Sequence, residues 1–311
     1  IHTTNHEISK AFGKRIKAIR IIENAPSTFG GIGSVYNAFL PSLTLGCGSY
    51  GHNSVSNNVS AINLLNIKRI GRRNNNMQWV KLPPKIYFER NSIRYLRDMK
   101  EMKKAMIVTD RGMYDLGYVG KIEDVIRRRR NKVDVDLFID VEPDPSLDMT
   151  LKGLEIMKSF QPDTIIAIGG GSSMDAAKVM WLMYEHPEVN FDDIKQKFMD
   201  IRKRAFKFPE LGKKAKLVCI PTTSGTGSEV TPFAVITDTK ENKKYPLTDY
   251  ALTPTIAIVD PEFAMSMPPR IAADTGIDVL THAIEAYVSI LASDFTDGWA
   301  KQAVKLVFEH L

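Results

Sequence analysis

The sequence predicts an α/β fold, a parallel sheet wrapped by helices, followed by the start of an all-helical domain. Three observations predict it. From Leu82 onward, short apolar runs alternate with helical segments; two loops of Gly, Ser and Thr stand at the ends of such runs; and from Arg270 only helical patterns remain. Strand and helix in alternation argue for a parallel sheet, with ligands gathered at the carboxyl ends of the strands.

Three regimes follow one another along the chain. Residues 1 to about 80 are rich in Gly, Ser and Asn, as in "FGGIGSVYNAF" and "LGCGSYGHNSVSNNVS", and show little periodicity. They do not read as a self-sufficient domain. The first clear strand is "AMIVTD" (Ala105 to Asp110), and a helical pattern from Val119 runs into Arg127 to Arg130. "VDLFID" (Val135 to Asp140) precedes the helix "LDMTLKGLEIMKSF"; "TIIAIGGGSS" precedes "DAAKVMWLMYE"; and "AKLVCIPTTSGTGS" supplies a further strand. The third regime opens near Pro268. The expected boundaries are therefore 1–82, 83–268 and 269–311.

At 311 residues, 43% hydrophobic and 25% charged, the chain is long enough for two globular domains. No run approaches the roughly 18 to 20 apolar residues that span a bilayer, and the start lacks the apolar stretch of a secretory signal. A cytoplasmic protein with no membrane partner is expected. The chain begins without Met and stops inside the helical pattern "VKLVFEHL", the mark of a fragment. Cys47 and Cys219 stand far apart and outside any CxxC pattern, against a disulfide framework or a cysteine-rich zinc site. Cys47, between glycines and without a basic neighbour, reads as structural rather than nucleophilic.

The net charge of +6 belongs to the front: residues 1–104 hold 17 Lys and Arg against 5 Asp and Glu, the remainder 25 against 31. "KRIKAIR", "NIKRIGRRNNN" and "IRRRRNK" have the composition of phosphate-contacting patches. Arg127 to Arg130, however, fall in the last turn of a helix, where cations complement the dipole. No nucleic-acid partner is expected, and a basic nucleic-acid or assembly module stands as the non-enzymatic alternative.

"IIAIGGGSSMDAAK" is a buried strand, three glycines, and Ser172 and Ser173 opening a helix. Glycines let a pyrophosphate approach the backbone, and the free N–H groups of a helix start favour its charge. The pattern is neither a Walker loop nor GxGxxG, and a turn with no ligand has the same composition. "CIPTTSGTGSEVT" is a second polar loop, with hydroxyls and small residues that suit phosphate or ribose. Two such loops at strand ends weaken the reading as mere surface turns. Asp110, closing "AMIVTD", can accept from a ribose 2′-hydroxyl and repel a 2′-phosphate, which favours NAD over NADP. "GGIGSVY" (Gly30 to Tyr36) imitates part of a dinucleotide fingerprint but follows no strand, and is rejected.

"DTGIDVLTHAIEAYVS" places Asp274, Asp278 and His282 four residues apart. Residues at that spacing share a helix face, so Asp278 and His282 can grip one ion. On spacing alone the solvated face of an ordinary helix is the stronger reading, because a divalent ion takes three or four protein ligands.

Together and in order, "IIAIGGGSSMDAAK", "IPTTSGTGSEVTPFAVITD", "YPLTDYALTPTIAIVDPEF" and "MPPRIAADTGIDVLTHAIEAYVS" resemble the iron-dependent (group III) alcohol dehydrogenases over residues 84–311. The front, from "APSTFGGIGSVYNAF" to "NIKRI", resembles the end of the aldehyde dehydrogenase half and the linker of the bifunctional aldehyde/alcohol dehydrogenases. The resemblance implies a Rossmann-like NAD-binding domain and the start of a helical metal-binding domain, an architecture shared with dehydroquinate synthase. It implies NAD contacts at Gly170, Gly171, Ser172, Thr222, Thr223, Thr231 and Lys244, with Asp110 at the adenosine ribose. It makes Asp278 and His282 two of four ligands to Fe2+, with Zn2+ an alternative on ligand type, and excludes Asp274. The other two family ligands are histidines further on, and this sequence ends before either; His2, His6, His52, His186 and His310 match no such motif. Asp144 stands where the family has another polar residue. The implied reaction is reduction of acetaldehyde to ethanol by NADH in fermentation. Partners would be a small aldehyde or alcohol and further copies of the chain, as a homo-oligomer or a filament of the intact protein. A polyol or glycerol dehydrogenase, or a lyase of the same architecture, is the rival among enzymes.

Overall fold

A computed structural model describes residues 1–16, 20–24, 69–72, 80–195, 208–289 and 291–311. Cys47, His52 and the Gly30 to Tyr36 stretch lie outside the described residues. The chain divides into two compact units, Ile1–Trp79 with Val288–Ser293, and Val80–Tyr287 with Asp294–Leu311.

In the first unit, helix α1 (His6–Arg15) starts at Asn5, whose side chain accepts from the Glu7 and Ile8 amides, and ends on Lys14 and Arg15. Both ends complement the helix dipole or its free amides. Strands β1 (Arg20–Glu23) and β2 (Arg69–Arg72) pair in parallel. The buried Ser9 hydroxyl donates to Glu23 at 2.6 Å, fastening α1 to β1.

The second unit carries a six-stranded sheet, every pairing of which is parallel. In chain order its elements begin with β3 (Lys85–Phe88), the short helix α2 (Tyr95–Asp98) and β4 (Lys104–Val108). Then come α3 (Arg111–Asp115), α4 (Tyr118–Arg127), β5 (Asp134–Phe138), α5 (Leu147–Phe160) and β6 (Thr164–Gly169). Next are α6 (Gly171–Glu185), α7 (Phe191–Ile194) and β7 (Lys216–Pro221). An antiparallel hairpin, β8 (Phe233–Asp238) and β9 (Lys243–Thr248), precedes the last sheet strand, β10 (Ile256–Val259). Two helices close the unit, α8 (Pro269–Val288) and α9 (Asp294–His310).

Side chains alternate across each strand, and both faces are covered. Met106, Ile165, Ala167, Leu217 and Cys219 face α5 and α6, where Leu154, Met157, Met180 and Trp181 meet them. Ile107, Ile166, Ile168, Val218 and Ile258 face the other way, toward Leu96, Ile122 and Ile126. That double burial is why β4, β6 and β7 read as apolar runs, whereas β5, at the edge of the sheet, carries Asp134 and Asp136 and is only partly buried. Cys219 lies fully inside, and burial pushes its thiol up to about 12, so it is an inert packing residue. A third cluster seats the hairpin on α6 and α7 through Val179, Phe191, Ala234, Ile236 and Leu247.

The sheet order β3-β10-β7-β6-β4-β5 reverses direction between β4 and β6. From β4 the chain goes outward to β5, then returns to β4's other side. Ligands of open α/β sheets bind in the crevice at such a switch point. Asp110 and the glycine loop stand there, at the ends of β4 and β6.

Helices α8 and α9 carry exposed large apolar side chains, among them Ile277, Ile284, Tyr287, Phe295, Trp299 and Phe308. None of the helices among the described residues is long and apolar enough to cross a membrane.

Ile166, flanked by Ile107 and Val218 on the neighbouring strands and wholly buried, gives a direct test of this core. Ile166→Ala is expected to cost about 2–5 kcal/mol in urea unfolding, and Ile166→Val about 0.5–1.5 kcal/mol. A loss below about 1 kcal/mol for the alanine variant would place that side chain outside a packed core.

Candidate cofactor and metal site

The glycine loop starts where β6 stops. Gly169 has φ 145°, and a Cβ there would fall 2.5 Å from the Ser173 hydroxyl. Only glycine adopts that conformation in that space. Gly170 is the N-cap of α6 but supplies no side-chain cap, and the first turn contains no acid. The amides at the start of a 15-residue helix are thus left for an anion, with the dipole in its favour. Ser172 lies in that first turn.

The threonine loop, following β7, is packed on the glycine loop. The Thr222 amide donates to the Gly169 carbonyl at 3.0 Å, and a Cβ on Gly171 would meet Thr226 at 3.0 Å. Thr223 is the nearest neighbour of Gly170, at 3.6 Å from its would-be Cβ. Thr222 is buried, and Thr223 is partly exposed. Asp110 joins the same corner from β4: its Oδ1 accepts from the Met113 amide at 3.1 Å, capping α3, and its Oδ2 faces the Ser173 hydroxyl at 3.4 Å. One carboxylate oxygen is committed to the cap, and the other accepts from Ser173 beside Gly169 of the glycine loop.

Thr231 and Lys244 are placed differently. Thr231 turns toward Lys178, whose ammonium donates to the Thr231 carbonyl at 2.9 Å. Lys244, on β9, is 2.6 Å from Asp144, which has a left-handed backbone (φ 54°). Both partners are more than half exposed, so the pair adds little stability. It does bring together the two positions that the sequence left unconnected.

On α8, Nε2 of His282 lies 3.5 Å from Oδ1 of Asp278, with both side chains about half exposed. Asp278 also reaches the threonine loop: a Cβ on Gly225 would lie 3.2 Å from its Oδ2 and 3.1 Å from Thr275. Asp274, one turn earlier, is exposed. A cleft of about 450 Å³ runs here, lined by Thr223, Gly225, Glu229, Asp260 and Val279 among others. The enclosed Glu229 carboxyl is pushed above its ordinary range by burial, against the pull of Lys178. Among the described residues no three His, Cys, Asp or Glu side chains are grouped to hold a metal. Asp278 and His282 form a pair only.

Sequence reasoning missed the buried charges beneath these loops. Lys178 is wholly inaccessible and donates to Ser228 Oγ at 3.0 Å and to the Phe233 carbonyl at 2.6 Å. Asp175 accepts from Ser228 Oγ at 2.6 Å and from the Val235 amide at 2.9 Å. Burial pushes the Asp175 carboxyl up and the Lys178 ammonium down, and each charge opposes the shift of the other. The available signal was an Asp and a Lys three apart inside "MDAAKVMWLM", a helix otherwise apolar on every side.

The geometry can be set beside known proteins. Residues 83–261 match the family model described as iron-containing alcohol dehydrogenase, and residues 272–311 the C-terminal model of the Fe-containing alcohol dehydrogenase family. The chain is 67% identical over its whole length to an aldehyde-alcohol dehydrogenase of Streptococcus pneumoniae, of which it spans 35%. It is 50% identical over 231 residues to an NADPH-dependent butanol dehydrogenase of Clostridium saccharobutylicum, covering 74% of this chain and 57% of that one. Among solved structures, sulfoacetaldehyde reductase of Bifidobacterium kashiwanohense in complex with NAD+ superposes with a TM-score of 0.66 at 30% identity. That match covers 76% of this chain and 60% of the other. Loops, switch point and helix pair therefore sit on a scaffold shared across its whole second unit, and the chain belongs to the iron-containing alcohol dehydrogenase family.

Proposed function

We propose that this chain carries the nucleotide-binding domain and half of the metal site of an NAD- and iron-dependent alcohol dehydrogenase. The intact protein would be a bifunctional aldehyde/alcohol dehydrogenase whose alcohol half reduces acetaldehyde to ethanol. The observation that carries the reading is the threonine loop, which packs on the glycine loop at Gly171 and on α8 at Asp278. A cofactor held by the first contact and an ion held by the second would share one cleft. The chain spans about a third of its curated relative's length, so activity belongs to the longer protein.

The residues present fit both groups. The glycines admit a pyrophosphate to the amides of α6, while Asp110 Oδ2, which accepts one long hydrogen bond from Ser173, has capacity left to accept a ribose hydroxyl. Thr222 and Thr223 offer hydroxyl donors beside the glycine loop, and Lys244 offers a cation from the hairpin. Asp278 and His282 supply a carboxylate and an imidazole, donors suited to Fe2+ and, about equally on ligand type, to Zn2+. When bound, the ion is a Lewis acid for the aldehyde oxygen, and NADH is the hydride source. The chain's own contribution is to orient the two reactants, which lowers the entropic barrier to their meeting.

Asp110 decides the coenzyme. The chain is expected to bind NADH at least about tenfold more tightly than NADPH, because a 2′-phosphate would meet the carboxylate; equal affinities by fluorescence titration would remove that role. Gly171→Val should weaken NADH binding by about tenfold or more, since the new methyl groups occupy both the pyrophosphate path and the Thr226 contact. Unchanged affinity in that variant would sink the loop assignment. In a longer protein that carries the two further histidines, His282→Ala should abolish metal content and acetaldehyde reduction together, while Asp274→Asn keeps both. Full metal occupancy in the His282 variant would leave the Asp278–His282 pair as the solvated face of a helix.

A further inference from the structure

The arginine run at Arg127–Arg130 has no part in the site above. It lies at the opposite end of the sheet, where residues 97–103 lead into the start of β4 and residues 128–131 lead toward β5. These two segments are the walls of a cleft of about 720 Å³, larger than the one beside the threonine loop. Its lining holds Arg97, Lys100, Lys103, Arg128, Arg129 and Arg130 against only Asp98 and Glu101. Strands of five residues, at about 3.3 Å each, put it roughly 16 Å from the carboxyl edge.

Both acids are already taken. Asp98 is bonded to Arg97, and Glu101 to Lys216 at 2.8 Å. Both carboxyls are held below their ordinary range, first of all by those hydrogen bonds. Lys103, Arg128 and Arg130 are exposed and their side chains bond to no acidic side chain among the described residues, although the Lys103 amide donates to Asp163 at 2.9 Å; Lys100 exerts only a through-space pull on Glu101.

A helix dipole explains part of this charge and no more. Arg127 pairs with Asp124 within α4, and Arg129 turns inward, donating to the carbonyls of Leu96, Arg97 and Met99 at 2.5, 3.0 and 2.6 Å. Its Nε is buried with no partner among the described residues. Asn131 makes a parallel bond to the Met102 carbonyl at 2.9 Å. These bonds cross from one wall to the other and hold them at fixed separation. Lys100 and Lys103 belong to the far wall, which is not the end of α4, and the dipole does not account for them. The result is a preorganised, cation-lined cleft of the size that takes a small ligand, with its own acids neutralised.

We infer that this cleft binds a small molecule bearing a chain of phosphates, held by Lys100, Lys103, Arg128 and Arg130, at a site distinct from that proposed for NAD. Guanidinium and ammonium groups at this density match the repeated oxygens of a polyphosphate. An acidic protein segment has the same sign of charge but spreads it over a longer path than one cleft of this size.

The test is calorimetric titration of the 311-residue chain, saturated with NADH, with inorganic tripolyphosphate, ATP and adenosine. Tripolyphosphate and ATP should bind tighter than about 1 mM, compete with each other and weaken with salt, whereas adenosine should not bind. ATP binding that tripolyphosphate cannot displace would overturn the inference. Substituting Lys100→Gln, Arg128→Gln and Arg130→Gln together should weaken tripolyphosphate by about tenfold or more. The same loss of charge at Lys152, Lys240 and Arg270, all exposed, should change it by less than about threefold. Circular dichroism of both triple variants checks that they fold. Equal loss in the two variants, no binding of tripolyphosphate, or binding of poly-glutamate in its place would each overturn the inference. A chain that fails to bind NADH but still binds tripolyphosphate refutes the proposed function alone.

Discussion

The second unit depends on two buried ionisable side chains of α6, Asp175 and Lys178, which Ser228 bridges. Asp175 and Lys178 stand one turn apart among apolar residues, and from there they bond to Ser228, to the Thr231 and Phe233 carbonyls and to the Val235 amide. One helix therefore fixes both loops: its amino end is the glycine loop, and its first two turns anchor the threonine loop and the root of the hairpin. Burying two charges is costly, and a well-packed apolar pair is often as stable. What the ions add is direction. Asp175 accepts from two groups and Lys178 donates to three residues, so the loop between β7 and β8 is held by directional bonds, a geometric specificity that apolar contacts do not impose.

That dependence explains what could be read from the sequence. Strands β4, β6 and β7 were legible because both of their faces are buried, which leaves unbroken apolar stretches such as "AMIV" and "IIAI". The glycine loop and the opening of α6 were legible for the same reason, as a break at the end of such a run. β3 and β10 are four residues each and lie at one side of the sheet, too short for their apolar residues to stand out. The hairpin was hidden by its composition: "KKYPLT" carries a proline and two lysines, and only its packing on α6 and α7 makes it a strand.

The candidate site divides along similar lines. Asp278 and His282 share a helix face, a relation that spacing alone conveys. The approach of Gly225 to Asp278, the union of Lys244 with Asp144, and the attachment of Thr231 to Lys178 all join distant parts of the chain, and no local pattern marks them. Arg127 to Arg130 show the reverse: a run that reads as one feature separates into three roles, with Arg127 paired within α4, Arg129 bridging to the carbonyls before β4, and Arg128 and Arg130 left facing a cleft.

The two ends of the sheet thus present positive potential by different means. At the carboxyl edge the positive potential comes from backbone amides and a helix dipole, which act over a short range and demand that the ligand come close; hence the glycines, and the contacts that a single methyl group would block. At the amino edge it comes from long, exposed side chains, which reach a ligand without close backbone approach but distinguish one phosphate chain from another poorly. Parallel strands create that asymmetry, because every crossover helix directs its amino end to one edge and its carboxyl end to the other. On the proposed reading, selectivity for a particular nucleotide is accordingly a property of the edge built from Gly169, Gly171 and Asp110. The opposite edge is suited to charge in general.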